Sequence, residues 1–235
     1  MAIDDLPGPV VTFLNVIGVE WPYINEDSVM QFASLVRQFA QAVQTTHQDA
    51  TTAIHGIAQG YQGASTQQLS SGWQELSARH VTELVDGCAV LADALEVAAG
   101  YIVAQKVAAV AELIGMAATF VADQAAAVAT FGIAEAAVPA IIAAGKKLME
   151  SLVQDLEQYI IGQVVEAAAK PLFAKVAEAM SGLDWSKTTP AATESTGFSL
   201  DEQLVRMHTE ALRQHAQTFR SHAITFQQGI RELSF

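Results

Sequence analysis

Residues 65–102 read STQQLSSGWQELSARHVTELVDGCAVLADALEVAAGYI, and this stretch decides the fold of the chain. Mostly apolar side chains recur in it at steps of three and four residues, which is the repeat of one face of a long helix. A similar stripe runs from Val29 to Ile57, and Gly60 and Gly63 separate the two. Two long helices joined by a glycine-broken turn bury their stripes on each other, so we predict an antiparallel helical hairpin. The second stripe consists of Leu69, Trp73, Leu76, His80, Leu84, Cys88, Leu91, Leu95, Ala98 and Ile102.

The composition excludes several classes of protein. The 235 residues are 51% hydrophobic and only 16% charged, against about 25% charged in an ordinary soluble domain. A chain this apolar can offset its ordering entropy by burial, so it is not disordered throughout. The net charge of −13 argues against nucleic acid as a partner, because neutralising phosphates needs an excess of Lys and Arg. The single cysteine, Cys88, excludes an intrachain disulfide and a cysteine-built zinc site.

The remaining segments also show helical spacing, so we predict an all-α fold in which an Ala-rich bundle and a C-terminal helix extend the hairpin. Ser/Thr/Gly/Pro-rich sequence before the last helix predicts a flexible linker. Helix-start signals occur at Asp27-Ser28, at Ser65 and at Ser199, the last with Glu202 three residues later as a capping box. The predicted segments are a lead (1–27), the hairpin (28–115), an Ala-rich extension (116–181), the linker (182–198) and an amphipathic helix (199–235).

The window Ala125–Ala144 is the most apolar part of the extension. It carries one charge, Glu135, and Lys146-Lys147 follow it, so its length and flank fit a membrane span. Alanine is only weakly apolar, and Pro139 lies inside the window, so we favour a buried or partner-covered helix over a span. The residues that would meet lipid in the alternative are Phe131, Ile133, Ile141 and Ile142.

Histidines are the natural candidates for chemistry. His208, His215 and His222 are seven residues apart on the last helix, and each step of seven climbs about 10 Å, so the three cannot share one metal ion. They interleave with an apolar stripe, which predicts a helix–helix seam whose packing weakens when histidine is charged. The linker is long enough for this helix to fold back along the bundle. On the hairpin, His47 and His80 can face the same seam, and we expect a cross-helix hydrogen bond there.

The chain shows no motif that assembles a nucleophile, a base and an oxyanion donor. HExxH, GxSxG and a phosphate-binding loop are all missing from the sequence. We therefore expect a protein that is not an enzyme, with no catalytic residue, no metal and no cofactor.

The residues around the turn carry a resemblance to a known family. Tyr61-Gln-Gly-Ala-Ser, followed by Gly72-Trp73-Gln-Glu-Leu76, resembles the Trp-Xaa-Gly (WXG) superfamily of helical-hairpin proteins exported by type VII secretion systems. Glu75 stands where the narrow family has its glycine. The lead, with Trp21-Pro22 and Glu26-Asp27-Ser28, and the pattern from Trp73 to Lys106 look more like the N-terminal region of large actinobacterial polymorphic toxins.

This resemblance implies a non-enzymatic targeting and structural module of a type VII secretion-associated protein. It implies a helical partner protein or a component of the export machinery, or a second copy of the chain, recognised through Trp73, Leu69, Leu76 and His80. Packing within the hairpin is an equally weighted role for Trp73. The start MAIDDLPGPV lacks a basic n-region, so we expect a secreted or cell-surface protein exported without a cleaved signal peptide and cytoplasmic before export. A membrane-inserting or pore-forming protein is the alternative.

Overall fold

The computed structural model describes residues 5–129, 138–182 and 199–233, and most of these residues are helical. This confirms the predicted all-α class. Seven α-helices occur in the described ranges: α1 (Gly8–Ile17), α2 (Glu26–Gly60), α3 (Ala64–Leu76), α4 (Thr82–Ala129), α5 (Val138–Tyr159), α6 (Lys170–Gly182) and α7 (Glu202–Arg231). Wider π-helical turns over Ser77–Val81 and Ile160–Ala169 join α3 to α4 and α5 to α6. Two strands of two residues each, β1 (Tyr61–Gln62) and β2 (Ser199–Leu200), pair antiparallel.

The structure describes the predicted end of the hairpin but very little of the predicted linker. The helix α4 runs without a break past residue 115, where we placed the end of the hairpin. The predicted linker falls almost wholly outside the described residues. The five-segment division therefore stays a proposal.

All three helix starts lie within two residues of their predicted positions, but the capping residues are different. The side chain of Asn25 accepts from the N–H groups of Asp27 and Ser28, and Gly63 precedes α3 without a side-chain cap. Asp201 caps α7 by accepting from the N–H of Leu204. The caps predicted at Ser65 and Ser199 are thus wrong. Several adjacent residues can cap a helix, and the conformation of the preceding turn determines which of them does so.

Contacts divide the chain into two compact units. The first unit comprises Met1–Gln31, Ala94–Val165 and Ser234–Phe235, and the second comprises Phe32–Asp93 and Glu166–Leu233.

The first unit contains a short helix, α1, that lies within the predicted lead and that the sequence did not predict. The buried face of α1 includes Phe13 and Ile17. Gly145 of α5 comes so close to both side chains that a Cβ there would lie 3.1 Å from Phe13 and 3.2 Å from Ile17. The Phe13 ring also contacts that of Phe120 on α4, with centroids 5.7 Å apart. α1 ends at Gly18, whose φ of 68° favours glycine.

The second unit confirms that the last helix folds back along the bundle, and it shows that the contact is with α2. The α7 residue Leu204 lies against Gly60 and His208 against Gly56, while the Phe226 ring stacks on Phe39 with centroids 4.8 Å apart. Residue numbers rise along α7 as they fall along α2, so the two helices are antiparallel. The strand pair adds an anchor where they meet, since the N–H of Asp201 donates to the carbonyl oxygen of Gly60 at 2.7 Å.

Candidate functional site at the hairpin turn

Trp73 lies on α3 with its indole half-buried and held in one orientation by α2. Its Nε1–H donates to Oγ1 of Thr51 at 2.8 Å, and Thr51 in turn donates to the carbonyl oxygen of His47 at 2.8 Å. The indole also stacks on the His47 ring, with centroids 5.0 Å apart and 18° between the planes. The Nε1 edge and one face of the indole are therefore held by α2, and the side chain remains partly exposed.

The predicted cross-helix histidine bond forms with a different residue. His47 Nε2 lies 2.6 Å from Oγ of Ser77, one turn before His80 in the π-helical segment. The Nδ1 atoms of His47 and His80 are both buried, and neither has a hydrogen-bond partner within the described part of the chain. A bare acceptor is the less costly state of an unpaired nitrogen, so we place the proton of His47 on Nε2, donating to Ser77.

Burial lowers the pKa of His47 below its usual value, because desolvation disfavours the charged ring. The neutral ring suits a structural role. A Ser–His pair at this distance can serve nucleophilic catalysis, but catalysis also needs a group that orients the histidine from its other nitrogen. His47 Nδ1 has no hydrogen-bond partner in the described ranges. The hydrogen bond between His47 and Ser77 links α2 to the π-helical turn.

The helix that carries Trp73 is poorly covered. Among its residues only Thr66 is buried, and the Leu69 side chain is 41% exposed. Leu76 and His80 are half-buried. We call these four positions, Leu69, Trp73, Leu76 and His80, the hairpin face.

The three histidines of α7 all lie half-buried on one side of the helix. His222 Nε2 is 2.9 Å from Oγ1 of Thr46 on α2, and the His208 ring fills the space left by the missing side chain of Gly56. His215 is placed between them along the same helix. The structure thus puts the predicted seam between α2 and α7, and its response to pH stays a prediction.

The predicted membrane segment is only partly described. Phe131 and Ile133 lie outside the described residues, and Ile141 and Ile142 are half-buried near the start of α5. Among the described helices, one stretch, Thr82–Ala125, is long and apolar enough to cross a membrane by length and composition, and 39% of its most apolar window is buried. Core helices pass the same test, so length alone does not distinguish the two.

A site that the sequence analysis did not identify lies in the first unit. Lys106 of α4 and Glu26 at the start of α2 form an ion pair at 2.8 Å, with side chains only 2% and 8% exposed. Lys106 Nζ also donates to the carbonyl oxygen of Ile24. Desolvation lowers the pKa of Lys106, while the nearby charge of Asp27 opposes this. A cavity of about 540 Å³ adjoins the pair and is lined in part by Trp21.

One signal could have revealed this pair. Lys106 follows Ala98 and Ile102 at steps of four on the face of α4 that turns out to be buried. A lone lysine on an apolar stripe calls for an acid opposite it, because a buried charge is costly unless it is paired. Lys106, Glu26 and the Trp21-Pro22 dipeptide are also residues on which the toxin-like resemblance rests, so the structure brings those motifs together in one place.

The fold and the hairpin face define an all-helical hairpin protein with an oriented tryptophan near its turn. A family model described as a WXG100 like domain matches residues 4–146, more than half of the chain, and the chain belongs to this family. The family consists of helical proteins associated with type VII secretion. Comparisons with curated proteins and with solved structures find no match to either.

Proposed function

We propose that the chain is a targeting and structural module of a type VII secretion-associated protein, and that a helical partner or an export component recognises the hairpin face. The observation that carries this is the half-buried indole of Trp73, which two hydrogen-bonded α2 residues hold in place on a helix that buries only Thr66. A fixed aromatic side chain beside exposed apolar positions costs little entropy to bind, which is typical of interface anchors. The mechanism involves no bond chemistry.

The resemblance to polymorphic toxins supports a finer version of this proposal. The lead and the hairpin would then form the export region of a toxin, secreted or placed at the cell surface without a cleaved signal peptide. The buried Lys106–Glu26 pair would fix the lead to α4, so that the region is folded before export.

Export from a host with a type VII system tests the proposal. Leu69→Asp changes a residue that is already 41% exposed, so it should leave the fold intact while placing an unpaired charge in the partner's interface. We expect at least a tenfold drop in exported protein, which corresponds to about 1.4 kcal/mol of lost recognition. The matched control is Val90→Asp, at a residue 56% exposed outside the hairpin face.

Equal export of both variants, with unchanged melting temperatures, would show that the hairpin face is not recognised. The alternative function, membrane insertion, is favoured by the apolar length of α4. Flotation with liposomes at neutral and acidic pH distinguishes it, because an inserting protein should float with the lipid and release a trapped dye.

A further inference from the structure

The cavity beside the Lys106–Glu26 pair is too large to be a packing defect. Its volume is about 540 Å³, whereas protein interiors hold few voids larger than a water molecule. Pockets that bind small ligands usually measure about 300–1,000 Å³. Its described lining residues all belong to the first unit, so the cavity lies within one compact body. We call it the lead cavity, because all of these residues except Lys106 lie between Asp5 and Asp27.

Apolar side chains form much of the lining of the lead cavity. Leu14 of α1 and the Trp21-Pro22 dipeptide contribute to it and are buried. Tyr23 also lines the cavity, although this residue is 86% exposed. The cavity can therefore receive an apolar stem, and Trp21 and Tyr23 bring to it aromatic rings of the kind that attract cations.

The charged part of the lining is mostly acidic. Asp5, Glu20 and Asp27 are exposed, while Glu26 is buried against Lys106. Four carboxylates and one ammonium group give the described lining a net charge of −3. The field of Asp27 extends to the buried amine: desolvation lowers the pKa of Lys106, and the Asp27 carboxylate acts in the opposite direction. A cleft lined by one sign of charge concentrates ions of the other sign.

The lead cavity does not suit an anion. Lys106 is the one cation among its described lining residues, and its ammonium group already donates to Glu26 and to a backbone carbonyl oxygen. The start of α2 also reaches the lining, but the side chain of Asn25 accepts from the N–H groups of Asp27 and Ser28 there. An incoming anion would therefore meet donors that are already bonded and would be repelled by the acidic side chains.

We infer that the lead cavity binds an organic cation, a guanidinium or ammonium group on an apolar stem. The exposed carboxylates of Glu20 and Asp27 can accept hydrogen bonds from such a group, and charge-assisted hydrogen bonds are stronger than neutral ones. The apolar lining receives the stem, in the way that Arg and Lys stems lie along apolar surface. The inference goes beyond the export role, since none of these residues belongs to the hairpin face.

Two probes of the same shape but different charge test the inference on the full chain. Butylguanidinium carries the charge, and butylurea is its neutral counterpart. An NMR titration follows the indole N–H signals of the three tryptophans, and Trp73→Phe and Trp185→Phe identify the signals that do not belong to Trp21. We expect butylguanidinium to shift the Trp21 signal with a dissociation constant on the order of 1 mM, as for very small ligands. Butylurea should bind at least tenfold more weakly.

A pair of peptides distinguishes the two sources of such a cation, which are a free small molecule and the side chain of another protein. Acetyl-Gly-Leu-Arg-Leu-Gly-amide presents the guanidinium group on a peptide, and the same peptide with citrulline in place of arginine is neutral. Binding of the arginine peptide at least tenfold tighter than butylguanidinium would assign the cavity to a protein side chain. Binding that is no tighter would assign it to a free small cation.

Neutral isosteres of the two exposed acids test where the cation binds. Glu20→Gln combined with Asp27→Asn should weaken the binding of butylguanidinium at least tenfold and leave the melting temperature unchanged, because both side chains are exposed. Glu20→Gln alone, at a residue outside any helix, should weaken it about threefold, half of that effect on a logarithmic scale. The matched control is Glu150→Gln combined with Asp155→Asn, which removes the same charge from exposed positions of α5 in the same unit. These positions do not line the cavity, so the control should bind like the wild type.

Three results would overturn the inference. The first is an unchanged Trp21 signal at butylguanidinium and arginine-peptide concentrations tenfold above the expected dissociation constant. The second is equal binding of the charged and neutral probes, which would show that the cavity selects only for apolar shape. The third is binding that the Glu20 and Asp27 variants and the α5 control weaken equally, as general attraction to an acidic chain would. None of these results affects the export test, since Leu69→Asp and Val90→Asp leave the lead cavity unchanged.

Discussion

The two units of the chain hold their helices by different means. In the first unit, Lys106 of the apolar helix α4 forms a buried ion pair with Glu26. In the second unit the ion pair between Arg37 and Asp93 is exposed, and the buried or half-buried contacts described above are neutral: stacked rings at Trp73 and His47, hydroxyl hydrogen bonds, and the His208 ring against Gly56. Substituting one member of a buried ion pair removes a large part of the stabilising free energy at once, whereas each neutral contact contributes only a small part of it. The units should therefore respond very differently to single substitutions.

The largest effect is expected in the first unit. Lys106→Met removes the cation and leaves the Glu26 carboxylate buried without it, so the free energy of unfolding should fall by about 3–5 kcal/mol. Urea denaturation followed by circular dichroism measures this loss. The double variant Lys106→Met/Glu26→Leu should recover much of the stability, because the buried carboxylate is removed together with the lysine. If Lys106→Met unfolds at the wild-type urea concentration, the pair does not anchor the lead.

Trp73→Ala should cost less. Complete burial of an indole would make the loss about 3–5 kcal/mol, and half-burial reduces it to about 2–3 kcal/mol. Trp73→Phe should retain most of the ring packing but lose the hydrogen bond to Thr51, at a cost of about 1 kcal/mol. A Trp73→Ala variant as stable as the wild type would contradict the packing role. If Trp73→Phe is as stable as the wild type but is no longer exported, the result would favour recognition of Trp73 by a partner over a packing role.

Gly56→Ala tests the contact between α2 and α7. The added Cβ would lie 2.2 Å from the His208 ring, so the ring must move, and we expect a loss of about 1–2 kcal/mol. Gly72→Ala is the matched control, since nothing lies within 4 Å of the new methyl group on α3. That variant should gain about 0.5–1 kcal/mol from helix propensity. If Gly56→Ala and Gly72→Ala both raise the free energy of unfolding by the same amount, α7 does not pack on α2 as described.

The smallest effect is a pH dependence at His47. Because burial lowers its folded pKa below an unfolded value of about 6.5, the unfolded state binds the proton first as the pH falls. Stability is thus fully retained above about pH 6.5 and declines below it. Unfolding curves of the wild type and of His47→Gln between pH 7.5 and pH 5, roughly the range in which histidine titrates, isolate this contribution. A wild type that loses no more stability than His47→Gln would show that His47 is not the titrating group.

Much of the fold could be predicted because its helices are amphipathic. The stripes of α2 and α7 each mark one face, and the structure packs those faces together, as at Phe39 and Phe226. The stripe through Trp73 likewise placed the second arm of the hairpin and the family motif. Caps were less predictable, since Asn25 and Asp201 each had polar neighbours equally able to cap a helix.

The candidate site was predicted only in outline. Spacing alone put His47 and His80 on one seam, but the π-helical turn at Ser77–Val81 brings Ser77 to His47. An added residue in a helical turn rotates everything after it, and regular periodicity does not anticipate that rotation. α1 was missed because ten residues are too few to show a periodic pattern beside Pro and Gly.

The sequence by itself determined the helical class, the hairpin and the return of α7 along the bundle, because each depends on which residues are apolar and on their spacing. The motifs around Trp73 indicated the family by resemblance. Only the tertiary structure decided which face of α4 is buried beyond Ile102, that Lys106 lies opposite Glu26, and that Trp73 is half-covered. The reason is physical: a helix that is apolar all round offers burial on any face. The choice between faces depends on groups distant in sequence, here the buried carboxylate of Glu26 that pairs with Lys106.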